Sequence, residues 1–541
     1  MRPILATLTA ATVIFATSIS VYSAETTDVS KSTADHSKFE ILQKEFTSGP
    51  EVTKACLSCH TEADDQVMHS IHYQWDYESE LGQVLGKSKV INAFCGNVAG
   101  NEARCTSCHA GYGWDDMSTP PPQQSEAVDC LVCHDQSGQY TKLATGAGHP
   151  PLEPVSETAK TITGKKAWAV DLKKSAQSVG TPTRDNCGQC HFYGGGGDNV
   201  KHGDLSSALY NPSKDVDVHM SKDGADMVCS ACHVEEKHQW AGSRYDADVV
   251  DAHKDMKPGA ARTTATCTSC HSDDPHPLNI KGLKLNDHTD KLACQTCHIP
   301  EFARGGVATK TWWDWSTGGQ MNAEGKPYAL HDYTQSDGKE LHTYMSKKGH
   351  FDWGENVTPY YAWSNGSVEY TLGDQKIDPT KIVEINKIHG APNTKDSRIM
   401  PFKRMEGRQA YDKVHEKLAY SHVWGPTTDT AFWTNYDWGK AIEAGMKAAG
   451  SEYSGEFGFV DTYMYWPITH MVAPSENALD CVACHAKDGR LSGITGVHMP
   501  GTNSMDAVGL LGRAIVLLAL LGVIGHSLLR FINRNKGGDH A

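Results

Sequence analysis

The chain has 541 residues, a formal net charge of -15 and 39% hydrophobic residues. The acidic balance excludes nucleic acid as a partner, because phosphate binding requires a basic surface that this composition does not supply. The hydrophobic share is modest for a chain of this length. We therefore expect bound apolar groups to complete the core, together with few strands, short helices and many loops.

The N-terminus has the pattern of an export signal. Arg2 precedes an apolar stretch through Ile14 and Phe15, and small residues follow at Ser23 and Ala24. This order is typical of a secretory signal peptide, which we assign to residues 1–24. The bulk of the chain is then expected in the periplasm. Residues 25–50 are polar and unpatterned and are predicted to form a flexible lead-in.

Sixteen of the seventeen cysteines belong to eight Cys-x-x-Cys-His motifs, and Cys95 is left over. The two thiols of such a motif add to the vinyl groups of a haem, and its histidine binds the iron. One copy alone would also fit a redox dithiol or half of a zinc site, but eight copies exclude those interpretations. We predict eight covalently bound haem c groups and no disulfide framework. The motifs are Cys56/Cys59/His60, Cys105/Cys108/His109, Cys130/Cys133/His134, Cys187/Cys190/His191, Cys229/Cys232/His233, Cys267/Cys270/His271, Cys294/Cys297/His298 and Cys481/Cys484/His485.

Twenty histidines lie outside the motifs, which is enough to give every iron a second imidazole. An iron with two histidine ligands only passes electrons, whereas a weak or exchangeable sixth ligand permits chemistry. Position relative to the motifs favours seven histidines as distal ligands, one fewer than the number of irons. These seven are His72, His202, His219, His238, His276, His288 and His470.

A long haem-free insert, residues 299–480, separates the seventh motif from the eighth within a domain of residues 51–500. It is too long for a loop, so we expect it to fold against the haem core. Val368–Leu372 alternates like a strand after the turn signal Ser364-Asn365-Gly366. Residues 438–449 have helical spacing and end before Gly450.

Residues 507–532 are mostly apolar and are predicted to form a transmembrane anchor, since about 20 residues cross a bilayer. Arg530, Arg534 and Lys536 lie at its end. By the positive-inside rule these charges place residues 533–541 in the cytoplasm. An amphipathic helix in the membrane interface remains the alternative.

Three stretches resemble the octahaem tetrathionate reductase family, whose wider relatives are hydroxylamine oxidoreductase and the pentahaem nitrite reductases. The first runs Cys187-Gly-Gln-Cys-His-Phe-Tyr-Gly-Gly-Gly-Gly-Asp-Asn-Val-Lys-His-Gly-Asp204. The others are Leu285-Asn-Asp-His-Thr-Asp-Lys-Leu-Ala-Cys-Gln-Thr-Cys-His-Ile-Pro300 and Pro401-Phe-Lys403. The resemblance implies a mainly α fold with many loops, built around a stacked haem wire.

The resemblance also implies that the second motif, with His109, carries a catalytic haem whose distal ligand is a lysine. Lys173 and Lys174 are the candidates for that lysine. The unpaired Cys95, with Asn92 nearby, lies just before this motif, where the family places an unpaired cysteine that could react with a sulfur–sulfur bond. Asp115, soon after His109, is a candidate proton relay.

These patterns predict a periplasmic, membrane-anchored reductase of tetrathionate, nitrite or hydroxylamine. A quinol or a membrane or periplasmic cytochrome would supply its electrons. The sequence is compatible with a homo-oligomer. Two alternatives remain at this point: an electron conduit with every haem bis-His that serves a partner enzyme, and a hydroxylamine-oxidising enzyme.

Overall fold

The computed structural model describes residues 33–91, 96–247, 249, 265–500 and 506–534. The predicted signal peptide and the two candidate catalytic residues Asn92 and Cys95 lie outside these ranges, as does most of the predicted cytoplasmic tail.

Short helices and loops carry the cysteine motifs. Most motifs sit at or within a helix of four to nine residues, which places the two thiols one turn apart. The first of these helices begins after Ser48, whose side chain accepts a hydrogen bond from the amide of Glu51 (3.3 Å). The α-helices of this part are Gly49–Leu57, Ala63–Met68, Ile71–Gln74, Glu102–Cys105, Leu131–His134, Leu172–Gln177, Arg184–His191, Cys267–His271, Ile280–His288, Cys294–His298 and Cys481–Cys484.

The described part of the lead-in is packed, which corrects the expectation of a flexible segment. Two 3-10 turns, His36–Lys38 and Glu40–Leu42, precede the first helix. Leu42 is buried in a hydrophobic cluster with Val52. The side chain of Gln177 donates to the backbone carbonyl of Leu42 (2.8 Å). The buried side chain of Leu42 and this hydrogen bond fix the described part of the lead-in, although its sequence lacks a periodic hydrophobic pattern.

The insert contains a nine-stranded mixed sheet, so the fold is mixed rather than mainly α with few short strands. Its central strand, Arg398–Asp412, pairs antiparallel with Phe457–Pro467 and parallel with Thr309–Asp314. The other strands of this sheet are Ala329–Leu330, Tyr344–Met345, Gly349–Gly354, Tyr360–Ser364, Val383–Glu384 and Lys417–Leu418. Smaller two-stranded pairs are Tyr77–Glu78 with Val84–Leu85, Glu235–Glu236 with Gln239–Trp240, Tyr333–Thr334 with Glu340–Leu341, and Val368–Tyr370 with Asn386–Ile388.

Charge alternation explains why the central strand was not predicted. Arg404, Glu406 and Arg408 lie on one face at a period of two, and Arg404 pairs with Glu406 (2.7 Å). Arg408 lies directly opposite Asp461 and pairs with it (2.7 Å). Charged residues that pair within the strand or with the neighbouring strand interrupt the hydrophobic pattern by which a strand is predicted.

Two local predictions for the insert are confirmed. The strand Val368–Tyr370 follows the predicted turn. The helix Trp438–Ala448 begins after Asp437, whose side chain accepts from the amide of Lys440, and the chain turns at Gly450 with φ 65°. Its Trp438 stacks on Phe432 with ring centroids 3.9 Å apart, which fixes the helix to the sheet core.

The C-terminal helix runs over Asp506–Arg534. Its segment Gly509–Asn533 has a mean hydropathy of 2.2, and none of it is buried against the rest of the described chain. The predicted apolar helix is therefore present, with the length that a membrane span requires.

The methionines of the insert provide a test of the sheet core. Met464 is fully buried, whereas Met321 is 37% exposed at the edge of the same region. We expect Met464→Ala to lower the free energy of unfolding by about 2–5 kcal/mol, because it leaves a cavity. Met321→Ala should change it by less than about 0.5 kcal/mol. Urea unfolding followed by circular dichroism measures both, and equal effects would contradict the assigned core.

Candidate functional site

Seven of the eight motif histidines face a second imidazole across a gap of nearly constant size. Their ring centroids lie 6.0–6.4 Å apart. An iron between two imidazoles requires this spacing, because a metal–nitrogen bond is about 2 Å long and the nitrogen lies about 1 Å from its ring centre. The pairs are His60 with His36, His191 with His72, His134 with His238, His271 with His219, His233 with His470, His298 with His276, and His485 with His288.

Six of the seven predicted distal histidines lie in these pairs, and His202 does not. The ring of His202 packs edge-on against Trp466, at 4.8 Å between centroids. The fourth-motif His191, which His202 follows in sequence, faces His72 instead. The additional member is His36 of the lead-in, opposite the first motif. A histidine close in sequence to a motif is therefore not always the one whose ring faces that motif's histidine.

Backbone carbonyls orient several motif histidines. The Nδ1 atoms of His134, His233 and His485 lie 2.9, 3.1 and 3.1 Å from carbonyl oxygens of Gly180, Ala241 and Pro500. A ring nitrogen that donates to a carbonyl leaves the other nitrogen free of its proton and available to a metal. The hydrogen bonds thus hold the rings in the tautomer that ligation requires.

The thiols of neighbouring motifs act on one another through hydrogen bonds or through charge, and these interactions define an order. The second motif joins this order at the fourth, because the thiols of Cys108 and Cys190 are hydrogen-bonded. The other hydrogen-bonded thiols are Cys56 with Cys130, Cys187 with Cys229, and Cys267 with Cys294. Electrostatic contacts link Cys133 with Cys187, Cys232 with Cys270, and Cys297 with Cys484. The motifs thus run 1–3–4–5–6–7–8, with motif 2 as a branch at motif 4.

Cys59 of the first motif is exposed, which differs from the position of a thiol enclosed in the expected core. The Ser58 hydroxyl lies 3.8 Å from its sulfur, while the other thiol of this motif, Cys56, is the one that reaches Cys130. Cys59 stays a predicted haem attachment residue, as do the other exposed motif thiols Cys232, Cys267, Cys270 and Cys481.

The second motif differs from the other seven. Its His109 is fully buried, and no second imidazole among the described residues faces it. The ring packs against Tyr73 (4.5 Å), Trp114 (5.0 Å) and Trp75 (5.7 Å) instead. Burial, followed by the charge of Lys142, lowers the pKa of His109 to about 3, so the ring is neutral, and its Nε2 lies 2.7 Å from the carbonyl oxygen of Tyr73.

Three lysines converge on this motif in an otherwise acidic protein. The pKa of the Cys108 thiol is lowered to about 6, first by the hydrogen bond with Cys190 and then, against burial, by the charges of Lys87, Lys142 and Lys201. Lys142 and Lys201 are buried, with 0% and 5% exposure. The second motif therefore lies in a local positive field.

Lys142 is held on the backbone side of His109. Its Nζ donates to the His109 carbonyl (2.6 Å) and pairs with the buried Asp129 (2.9 Å). Asp129 also accepts from the hydroxyls of Tyr112 (2.8 Å) and Tyr140 (2.7 Å). Such a saturated network holds Lys142 in place, because its departure would leave a buried carboxylate without its cation.

Lys201 lies on the segment that follows the fourth motif. Its Nζ is 4.9 Å from the centroid of the Trp466 ring, which also carries the guanidinium of Arg244 at 4.7 Å. The buried Lys403 donates to the backbone carbonyls of Val200 (3.0 Å) and Lys201 (2.9 Å). The segment is therefore fixed at its backbone, the Lys201 ammonium lies over the Trp466 ring, and its charge acts on Cys108.

The lysines proposed from sequence lie elsewhere. Lys173 pairs with Glu45 (3.0 Å), and Lys174 is exposed on the same short helix, Leu172–Gln177. Neither is among the charges that act on Cys108. Asp115 is exposed in the loop after the second motif. Lys201 stands next to His202 in the glycine-rich stretch, but only the fold distinguishes it from the other lysines.

Comparison with known proteins agrees with this arrangement. The crystal structure of an octahaem cytochrome c from Shewanella oneidensis superimposes with a TM-score of 0.71 at 39% identity and covers 84% of this chain and 95% of that one. The chain belongs to the multihaem c-type cytochromes. A family model described as bacterial cytochrome c matches residues 310–488 of this cytochrome. An uncharacterized protein of Archaeoglobus fulgidus is 25% identical over 252 residues, which are 39% of this chain and 82% of that protein.

The residues of this cytochrome fit covalent haem c. The imidazole pairs leave the gap of an iron, and each motif supplies two thiols for attachment. The buried Nδ1 atoms of His36 and His109 have no hydrogen-bond partner among the described residues. A buried polar atom without a partner is costly, so these two ring atoms are polar positions that the described residues leave unsatisfied.

The network behind His109 can be tested by its energetics. Lys142→Met should lower the free energy of unfolding by about 3–5 kcal/mol, because the buried Asp129 loses its cation. The double variant with Asp129→Asn should recover part of that loss. Lys174→Met, at an exposed lysine, should change it by less than about 0.5 kcal/mol. Urea unfolding of the wild type, Lys142→Met, Asp129→Asn, their double variant and Lys174→Met measures the coupling, and strictly additive effects would exclude the ion pair.

Proposed function

We propose that this cytochrome is a periplasmic, membrane-anchored reductase with eight haems, seven of them bis-His, and that a small oxidised substrate is reduced at the second motif. One observation carries the proposal. Seven motif histidines face a second imidazole, whereas His109 faces none among the described residues and has three lysines around its Cys108.

The order of the motifs supports an electron path that starts at the membrane. The eighth motif is tied to Pro500, whose carbonyl lies 3.1 Å from Nδ1 of His485. The apolar helix begins six residues later, at Asp506. Six residues span at most about 20 Å, so the eighth motif stays near the anchor. Electrons from a quinol or a membrane cytochrome would enter there and pass through motifs 7, 6, 5 and 4 to motif 2.

Bound haem supplies one-electron transfer at each site and, where the sixth position is exchangeable, direct reduction of a bound substrate. Lys201 is the residue we assign to that sixth position, in place of Lys173 or Lys174. Lys142 is unsuitable because Asp129 and the His109 carbonyl hold it, and Lys87 is only half-buried against Trp75. A Lys201 amine released from that position would take up a proton and then donate it to the reduced product.

Local charge favours an anionic substrate. Lys142 is paired with Asp129, but Lys87 and Lys201 also act on Cys108 and oppose the net charge of -15, so they would attract an anion here. Tetrathionate and nitrite fit this field, and hydroxylamine completes the substrate range implied by the family resemblance. Asn92, Cys95 and Asp115 stay as proposed participants near the second motif.

Reduction is favoured over hydroxylamine oxidation through a tyrosine crosslink. The tyrosine packed on His109 is Tyr73, whose hydroxyl donates to the carbonyl of Pro122 (2.6 Å). Tyr465 lies in the sheet, and its hydroxyl donates to the carboxylate of Glu384 (3.2 Å). Both hydroxyls are engaged by the protein.

The ligand assignment predicts different outcomes for two histidines. His36→Ala should convert one low-spin ferric haem to high spin, because the first motif loses its facing imidazole. His202→Ala should leave the number of low-spin haems unchanged, since its ring faces Trp466. Electron paramagnetic resonance of the oxidised holoprotein counts the spin states. A new high-spin signal in His202→Ala with none in His36→Ala would reverse the assignment.

The function is tested by anaerobic reoxidation of the fully reduced cytochrome with tetrathionate, nitrite and hydroxylamine in turn. At least one should reoxidise it rapidly, and cyanide should block the reaction. Lys201→Met should slow that reaction by about 10²-fold or more, as expected for loss of a positioned proton donor. Lys87→Met is the matched control, because it removes a charge from the same field and should have a smaller effect. If none of the three substrates reoxidises the protein, it is an electron conduit.

A further inference from the structure

One distal histidine has a hydrogen-bond partner unlike those of the others. The Nδ1 of His470 lies 3.1 Å from a carboxylate oxygen of Asp204, and the Asp204 side chain is only 2% exposed. The same oxygen accepts the backbone amides of Thr469 (2.8 Å) and His470 (3.0 Å). A buried carboxylate thus holds both the ring and the backbone of this residue.

The other distal rings with a hydrogen bond in the described structure use uncharged oxygens. His238 has the side-chain carbonyl of Gln66 at 2.9 Å, and His276 has that of Asn286 at 2.7 Å. His288 has the backbone carbonyl of Lys284. Among these rings, only that of His470 donates to an acid.

The difference matters for the redox chemistry of an iron. A ring N–H that donates to a carboxylate gains imidazolate character and makes the opposite nitrogen a stronger donor. A stronger axial donor stabilises ferric over ferrous iron and lowers the reduction potential. Burial of Asp204 strengthens the effect, because the low dielectric of the interior screens the charge weakly.

Asp204 is held where this contact requires it. Gly203 has φ 89°, a conformation that favours glycine, and a Cβ there would lie 2.7 Å from Phe302. The carbonyl of Gly203 accepts from the amide of Ala303 (2.7 Å). Lys403 also interacts electrostatically with Asp204, but burial holds the pKa of Lys403 well below its usual range. The ring N–H donor to Asp204 is His470.

The fifth motif occupies a special place in the order of contacts. It lies between the fourth motif, through Cys187 and Cys229, and the sixth, through Cys232 and Cys270. Motifs 6 to 8 form the arm next to the apolar helix. Motifs 1 to 4 form the arm with the second motif, so every electron that passes between the arms along these contacts crosses the fifth site.

We infer that Asp204 is a positioning residue that sets the fifth haem, ligated by His233 and His470, at the lowest reduction potential of the seven bis-His sites. The fifth site is then the uphill step that controls electron flow between the membrane arm and the catalytic arm. The inference rests on the ligand pairs of the proposed function, but not on any substrate.

The test is a potentiometric titration of the holoprotein without substrate, followed optically and by electron paramagnetic resonance. Asp204→Asn should raise the midpoint potential of the lowest-potential low-spin haem and shift the g values of one ferric signal. Asp217→Asn is the matched control. Asp217 is also buried and holds the same loop through the amide of Met471 (2.9 Å), but it has no hydrogen bond to the His470 ring.

A gain of the same contact provides the second arm of the test. Asn286→Asp places a carboxylate opposite Nδ1 of His276, so a different haem, that of the seventh motif, should fall in potential. Unchanged haem potentials in Asp204→Asn would overturn the inference, and so would an equal rise in potential in Asp217→Asn. If Asp204→Asn loses haem, the Asn286→Asp variant decides. An unchanged potential of the seventh-motif haem in that variant would then overturn the inference. Fewer than seven low-spin haems in the wild-type protein would instead refute the ligand pairs of the proposed function. The failure of the proposed function is thereby distinguished from the failure of this inference.

Discussion

The distance between two imidazoles is the constraint on which the rest of this structure depends. Each of seven pairs must leave about 6 Å between ring centres, and the two members often come from distant parts of the chain, as His233 and His470 do. Closing such long loops is costly in chain entropy, although the cost grows only slowly with length. Short helices and loops satisfy this requirement better than long regular elements, because each ring can be placed separately.

The haem-free insert holds residues next to two of the motifs. Lys403 and Trp466 lie directly opposite each other on its two longest strands. Lys403 holds the backbone of the segment that carries Lys201, and Trp466 receives the Lys201 ammonium on its ring. The strand that contains Trp466 leads on to His470. The sheet thus positions both the segment of Lys201 and the ring of His470.

Buried charges have two different roles in this cytochrome. Around Cys108 they are lysine charges that lower the pKa of its thiol in a protein of net charge -15. At His470 the charge is the carboxylate of Asp204, which contacts the imidazole ring. Both depend on burial, because exposed charges are screened by water and salt. The segment from Lys201 to Asp204 carries one residue of each kind and so links the two sites.

The sequence by itself determined the chemistry of attachment, since eight Cys-x-x-Cys-His motifs admit one cofactor class and the apolar C-terminal run predicts one long helix. It also located six of the seven facing histidines, because these stand close to motifs. Tertiary structure decided which rings face each other, that His36 rather than His202 completes a pair, and that Lys201 rather than Lys173 approaches the second motif. It also decided the sheet, whose charged, mutually paired strand Arg398–Asp412 has no hydrophobic signature. Ligand geometry and cross-strand ion pairs join residues far apart in the chain, and local pattern carries no information about such partners.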